Sequence, residues 1–421
     1  MTGSEAAHEI VDRLFREEQG RVVATLIRVT GDFDLAEEAV QDAFIRALET
    51  WPERGVPDNP GAWITTTARN RAIDRLRRRQ LSVAKIEELG RETAVEQELA
   101  AIDPTPAEDD AMPIADDRLR LIFTCCHPAL ALEARVALTL RTLGGLTTPE
   151  IARAFLVPEP TIAQRIVRAK RALTEARVPY EVPRGPELAP RLASVLEVLY
   201  LIFNEGYAAT AGEDWMRPGL CEDALRLGRI LAELTPREPE VHGLVALMEI
   251  QASRERARRG PTGEPILLLD QDRARWDQIL IRRGLAALDR AEALGGTRGP
   301  YALQGAIAAC HARARTAAET DWARIVGLYG ALADLTPSPI VELNRAVGLA
   351  MLMGPAAGLA VVDTLRSEPA LARYHLLPSV RGDLLMKLGR FDEARVELER
   401  AASLTQNARE RALLAARAAE C

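Results

Sequence analysis

The stretch Thr147–Leu173, TTPEIARAFLVPEPTIAQRIVRAKRAL, holds two helices separated by a proline-marked turn. Thr147 and Thr148 set a hydroxyl cap ahead of Pro149, which fills the first helical position, where a missing N–H costs nothing. This short helix is expected to stop near Leu156-Val157-Pro158; a second starts around Pro160-Thr161 and continues to Leu173. On a helical wheel Ile162, Ile166, Ala169 and Leu173 share one face, and Thr161, Gln164, Arg165, Arg168 and Arg171 fall about 120° away. An apolar stripe for the partner helix, set against long hydrogen-bond donors, is what a recognition helix needs to enter a DNA major groove. Helix-turn-helix patterns also arise by chance in all-helical chains, so a second element has to support this one.

That element lies upstream. Helical periodicity runs from Ile10 to Leu81 and is interrupted by the turn-rich stretch Trp51–Gly61. Six arginines (Arg69, Arg71, Arg75, Arg77, Arg78, Arg79) follow within eleven residues, on a helix whose inner face is Ile64, Ala68, Ala72 and Leu76. Trp63, Thr65, Thr66 and Thr67 precede them and offer groups that stack on a base or bond a phosphate. A solvated basic face is the plain alternative. Further upstream, Asp34 is placed to cap a helix, with Glu37 three residues on. Leu35, Ala39, Val40, Ala43, Phe44, Ala47 and Leu48 form its buried stripe, and Glu37, Glu38, Gln41 and Asp42 cluster on the outer side. An uncompensated acidic face beside a basic helix fits docking to a basic protein partner.

The bulk numbers agree with several helical domains. At 421 residues the chain exceeds one hydrophobic core, and 4% aromatics with abundant Ala, Leu and Arg favour helices over sheets. The net charge of −7 argues against nucleic acid only as an average, because the charge is segregated. Between Lys85 and Asp117, eleven carboxylates face two cations, which reads as a partly helical acidic linker or a solvated spacer. The five cysteines have no framework spacing, and neither a signal pattern nor a membrane-length apolar run is present, so a cytoplasmic protein with reduced thiols is expected.

Taken together, the first 178 residues resemble a bacterial sigma factor of the extracytoplasmic-function type. The resemblance rests on Asp34–Ala47 (DLAEEAVQDAFIRA), Trp63–Arg77 (WITTTARNRAIDRLR) and the Leu146–Leu173 helix-turn-helix, in that order and separation. Leu121–Leu130 (LIFTCCHPAL) and Leu199–Tyr207 (LYLIFNEGY) resemble a subgroup with a fused helical extension. The resemblance implies core RNA polymerase and promoter DNA as partners. Glu38, Gln41 and Asp42 would dock the polymerase clamp. Trp63, Arg69, Asn70, Asp74, Arg77 and Arg78 would melt and read the −10 element, and Thr161, Gln164, Arg165, Arg168 and Arg171 the −35 element. Pro158 departs from the pattern, standing where a Ser-type cap often precedes the recognition helix.

The expected fold is all-α: two small sigma-type helical domains plus a C-terminal helical-repeat domain. Residues 8–80 and 118–178 are the two modules, 81–117 the linker, 185–290 a helical extension and 291–421 tetratricopeptide-like repeats. The repeat expectation rests on Leu231–Pro236 (LAELTP) recurring as Leu332–Pro337 (LADLTP), and on Gly382, Ala394, Leu398 and Ala401, with Tyr329 and Leu332 one unit earlier. Glu264–Leu269 is a candidate short strand or buried loop. Cys125-Cys126-His127 lacks a second ligand pair, so neither zinc nor a redox role is expected. Asn204–Tyr207 fits a helix stop at Gly206 or a ligand pocket, and Asp270–Arg273 with Trp276 fits capping plus a buried salt bridge. No catalytic residues, cofactor, metal or membrane partner are expected; the C-terminal half is expected to modulate the rest, through an unknown ligand or protein partner. A helix-turn-helix regulator and a basic-helix scaffold are the competing functions, and both leave the Asp34–Ala47 helix unexplained.

Overall fold

The computed structural model describes residues 3–86, 111–155, 157–261, 263–296 and 298–421, and the chain is helical almost throughout. Most of the expected acidic linker, residues 87–110, lies outside the described residues. The chain divides into two compact units, residues 1–198 and 199–421. No described helix is long and apolar enough to cross a membrane.

In the first unit α1 (Gly3–Thr30), α2 (Phe33–Arg54) and α3 (Pro60–Ile86) pack on one another. Gly31 takes φ +65°, closing α1 where a side chain would be strained. The turn leaves Asp32 extended, and it is Asp32, not Asp34, that caps α2, accepting from the Leu35 N–H at 3.0 Å. α2 buries Leu35, Ala39, Val40, Ala43, Phe44 and Ala47, as the periodicity predicts. It runs through Pro52 to Arg54, so the interrupting loop shrinks to Gly55–Asn59. The reason is aromatic packing: Trp51 is buried and meets Trp63 edge-on at 5.4 Å, which keeps the last turn of α2 intact. Asn59 then caps α3 through the Ala62 N–H at 3.1 Å. Ile64, Ala68 and Ala72 are buried as expected, while Leu76 is half-buried.

α4 (Ala111–Cys125) packs on α1, followed by α5 (Leu132–Thr142), α6 (Thr148–Phe155) and α7 (Glu159–Glu175). α6 opens with a reciprocal capping box: Glu150 accepts from the Thr147 N–H at 2.7 Å, and the Thr147 hydroxyl accepts from the Glu150 N–H at 3.4 Å. α7 has no side-chain cap; Pro158 stands at the cap position and its carbonyl accepts from the Thr161 N–H at 2.9 Å. The boundary between the units falls inside α8 (Leu188–Tyr207), after Val198, downstream of the boundary marked by Pro179, Pro183, Pro186 and Pro190. The first half of α8 is held to the first unit by Arg191 donating to the Phe123 carbonyl at 2.8 Å and by the Ser194 hydroxyl donating to the Cys126 carbonyl at 2.6 Å.

The second unit is a succession of helices that pack mainly on their chain neighbours: α9 (Pro218–Leu234), α10 (Pro239–Ala252), α11 (Gln278–Ala293), α12 (Pro300–Arg313), α13 (Trp322–Leu335), α14 (Pro339–Met353), α15 (Pro355–Thr364), α16 (Leu376–Lys387), α17 (Phe391–Leu404) and α18 (Ala408–Ala419). The recurring LAELTP and LADLTP segments act alike. Each ends a helix at its second Leu, the Thr N–H donates to the first Leu carbonyl at 2.8 Å, and a proline opens the next helix. Ala394, Leu398 and Ala401 are fully buried, and Gly382 lies directly against Leu398. Glu264–Leu269 forms no strand: Pro265 makes an isolated bridge to Arg259, and Leu268–Asp270 is a 3-10 turn. The short pairing that does form is parallel, Ala211–Gly212 with Gln406–Asn407. Asn407, wholly buried, donates to the carbonyls of Ala209 and Asp214 and caps α18 with its own oxygen.

Gly243 on α10 sits where an added Cβ would come within 2.6 Å of the Ala302 backbone nitrogen on α12. Gly243→Ala should cost about 1–3 kcal/mol in urea denaturation, through overpacking against backbone that cannot yield. Gly219→Ala, which meets open space, should be neutral or slightly stabilising.

Candidate nucleic-acid interface

α7 carries the two faces that its sequence predicts. Ile162, Ile166, Ala169 and Leu173 are buried. Gln164, Arg168 and Arg171 are exposed, and Thr161 and Arg165 are half-buried beside them. Arg171 is held by Glu175 one turn on, at 2.6 Å. No hydrogen bond or ion pair joins the side chains of Arg165 and Arg168 to another described residue, which leaves two guanidiniums and an amide facing water from a helix backed by α5 and α6. That is a surface able to form charge-assisted hydrogen bonds to phosphate or to a guanine edge.

α3 presents a second basic surface. Asn70, Asp74, Arg77 and Arg78 are exposed and Arg69 is half-buried. Trp63 is half-buried with its ring against Trp51, so one edge is committed to packing. Arg75 leaves the group. It turns to α2, pairing with Glu38 and, at 2.9 Å, with Asp42.

The acidic face of α2 is therefore compensated, contrary to expectation. Glu38 and Asp42 share Arg75 in place of repelling one another, and Gln41 is half-buried beside them. Glu37, expected on the outer side, is only 8% exposed. Its carboxylate takes the Thr142 hydroxyl of α5 at 3.3 Å and the Lys170 ammonium of α7 at 3.0 Å, while Lys170 also meets Asp34 at 2.7 Å. Burial pulls the Lys170 pKa down, but Glu37 and Asp34 outweigh it and hold the ammonium above its ordinary value. This explains why Asp34 does not cap α2: its side chain belongs to the contact with α7.

Further contacts join the α1–α3 bundle to the helix-turn-helix within the first unit. Arg28 pairs with the buried Asp117 at 2.8 Å, and the Tyr180 hydroxyl shares its proton between the carbonyls of Ala24 (2.9 Å) and Asp117 (3.2 Å). Gly20 lets α1 approach so closely that an added Cβ would lie 3.3 Å from the Leu143 backbone. Sequence reasoning missed Lys170, Arg75, Thr142 and Tyr180. One signal was available: Lys170 is one of three lysines among 54 basic residues, and it stands alone on an arginine-rich face.

In the Cys125-Cys126-His127 segment the two cysteines are buried and His127 is half-buried. Burial pushes the Cys125 thiol well up and the Cys126 thiol up to about 11, so neither is a thiolate at neutral pH. The His127 Nδ1 accepts from the Ala129 N–H at 3.1 Å. Among the described residues no group of three or more potential ligands converges on a metal position. Gly206 is not a helix stop; α8 continues through it, and the missing side chain admits the Cys221 backbone, 2.6 Å from where a Cβ would lie. Asp272 does cap a 3-10 turn, but Arg273 makes no salt bridge among the described residues. It donates to the His311 and Ala314 carbonyls and the Thr320 hydroxyl.

Removing Lys170 tests the contact between modules. Lys170→Met strands the buried Glu37 carboxylate and should cost about 1–3 kcal/mol, most of it recovered in the Lys170→Met/Glu37→Gln double variant. Additive losses in urea denaturation would sink the coupling. Because the Lys170 pKa is raised above 10.5, its stabilising contribution should be complete below that pH and disappear as pH climbs through the higher folded value.

Comparison with known proteins matches the two modules separately. Residues 14–81 match Sigma-70 region 2, residues 120–173 match Sigma-70 region 4, and residues 191–292 match a family of unknown function, DUF6596. An uncharacterized protein of Rhizobium meliloti is 44% identical over 401 residues, covering 94% of this chain and 92% of that protein. The ECF RNA polymerase sigma factor SigK of Mycobacterium tuberculosis is 31% identical over 159 residues, 37% of this chain and 79% of its own length. The probable ECF sigma factor SigI of the same species is 25% identical over 171 residues, 41% of this chain and 57% of that protein. With both matched regions in the order that α1–α3 and α5–α7 take in the fold, the chain belongs to the ECF RNA polymerase sigma factors.

Proposed function

We propose that this protein binds core RNA polymerase and directs promoter-specific initiation, with residues 8–80 as the polymerase-docking and −10 module and residues 118–178 as the −35 module. One observation carries the proposal: α7 buries its apolar stripe against its own module and turns Gln164, Arg165 and Arg168 outward without a partner among the described residues. Thr161 and Arg171 flank them, and Arg171 has to exchange Glu175 for DNA. On α3, Arg69, Asn70, Asp74, Arg77 and Arg78 face the −10 strand, with Trp63 braced on Trp51 at the edge of the Gly55–Asn59 loop.

Docking to polymerase proceeds by exchange of cations. Glu38, Gln41 and Asp42 form the docking face, and Arg75 and Lys170 occupy the α2 carboxylates in the free protein. A basic clamp surface that takes Glu38 and Asp42 displaces Arg75, while Lys170 keeps its pairs with Asp34 and Glu37. The C-terminal part of the chain, a helical extension over 185–290 and a tetratricopeptide-like 291–421, modulates this step in the cytoplasm through a ligand or protein partner of its own. Helix pairs joined at prolines and packed through small residues support that architecture.

The direct test mixes purified protein with core polymerase and a promoter template: specific transcripts without another initiation factor are expected. A conventional helix-turn-helix regulator would yield none. Arg165→Ala and Arg168→Ala should each weaken −35-dependent binding by about 1–3 kcal/mol where the contact is bidentate to a base; a phosphate contact would instead weaken all sequences alike and lower the salt slope by about one. Wild-type footprints from both variants would overturn the assignment of α7. A chain ending at Val198, which retains the α8 residues bound to Phe123 and Cys126, should give altered transcript yield; an unchanged yield would sink the modulating role.

A further inference from the structure

Two arginines in the second unit are buried without an ion-pair partner among the described residues. Arg254 and Arg258 follow α10 one turn apart and are 7% and 5% exposed. Burying a guanidinium is costly unless an anion compensates it. Among the described residues no carboxylate lies within ion-pair distance of either. Their partners are neutral: Arg254 donates to the Tyr207 hydroxyl at 2.6 Å, and Arg258 to the Tyr207 carbonyl at 2.5 Å. The Arg258 guanidinium is sandwiched between aromatic faces, 3.4 Å from the Tyr207 ring centre and 4.5 Å from that of Trp215. Burial pushes its pKa down to about 10, so it remains charged at neutral pH.

Both side chains line a cavity of about 280 Å³, near the small end of the range for small-molecule sites. Unsatisfied polar atoms collect around it: the Arg254 Nε, the Trp215 Nε1 and the Gln271 Oε1 are buried and have no hydrogen-bond partner among the described residues. Apolar side chains complete the lining, among them Pro265, Ile266, Leu268, Leu376 and Leu413. Glu410 also lines the cavity, but it is already engaged, 3.3 Å from the His375 Nε2 and accepting from the Thr405 hydroxyl at 2.8 Å. Despite burial, which raises it, those partners, together with the nearby Arg258 charge, hold its carboxyl below the usual range. The loops that shape the cavity are fixed by the Asn407 hydrogen bonds to 209 and 214 and by the Ile266 N–H donating to the Arg258 carbonyl at 3.0 Å.

We propose that this cavity is a binding site for a small organic anion, a carboxylate or phosphate ester carrying a compact aromatic or branched apolar body. The anionic group completes the coordination of Arg254 and Arg258, the Trp215 N–H supplies a further donor, and the apolar body lies along Ile266, Leu268 and Leu413. The site does not depend on the second unit controlling transcription, since binding is measured on the protein alone.

The test uses the full chain with benzoate and phenyl phosphate as probes and benzamide as the neutral control, read by calorimetry and by Trp fluorescence. Saturable one-to-one binding of an aromatic anion is expected, with benzamide at least about tenfold weaker. Benzoate binding more tightly than phenyl phosphate identifies a carboxylate ligand, and the reverse order a phosphate ester. Arg254→Gln should lose at least about tenfold in affinity. As a guard against misfolding, Ser379→Trp keeps both arginines and fills the cavity; it should melt as the parent does and also lose binding. Failure of both anions to bind at several millimolar, equal binding of benzamide, or full affinity in a folded Ser379→Trp protein would each overturn the site. None of these results touches the sigma-factor assignment, which run-off transcription reads separately.

Discussion

A carboxylate nine-tenths removed from water cannot stand alone, and Glu37 on α2 is such a group. Its partners, Thr142 and Lys170, belong to the other small module, so the α1–α3 bundle satisfies its own buried charge only with the helix-turn-helix against it. Arg28 with Asp117 and Tyr180 with the Ala24 carbonyl repeat the pattern. The contact is polar where it could have been apolar, and that choice has a consequence. Polar pairs can be replaced by another protein's polar groups at small net cost, whereas a separated apolar face would have to be covered by equal apolar area.

The same economy governs the arginines. With a formal charge of −7, the chain attracts phosphate only where local charge is left uncompensated. Arg75 is neutralised by Glu38 and Asp42 and Arg171 by Glu175, while Arg165 and Arg168 meet no described carboxylate. Counting arginines along the sequence thus overstates the basic surface. Which guanidiniums are free depends on acids that lie 33 and 37 residues away in the chain.

Where sequence reading succeeded and where it failed follows from the range of the interactions. The four buried residues of α7, the hydroxyl cap at Thr147, the stripe of α2 and the repeated LAELTP and LADLTP helix ends are set within a turn or two of chain, and local pattern exposes them. The cap at Asp32 was missed because Asp34 fits the local rule equally well; a lysine 136 residues away decides between them. Pro52 suggested a break, yet Trp51 on Trp63 kept the helix whole. Gly206 looked like a stop because its true reason, close approach of Cys221, is a tertiary contact. Arg254 and Arg258 gave no signal at all, since an arginine in a sequence reads as surface until the fold buries it.

That last failure bears on what the second unit is built to do. Helices that pack chiefly on their chain neighbours gain stability by adding contacts, and nothing in that scheme calls for burying cations among aromatic rings. A chain selected for stability alone would replace Arg254 and Arg258 with apolar residues of similar size, a change that is often stabilising for buried charges. Two buried cations beside a cavity, with polar side-chain atoms around them unsatisfied among the described residues, are costly to the fold. An anion in the proposed site would stabilise the folded arrangement of α8, α16, α18 and the 254–271 segment that line it.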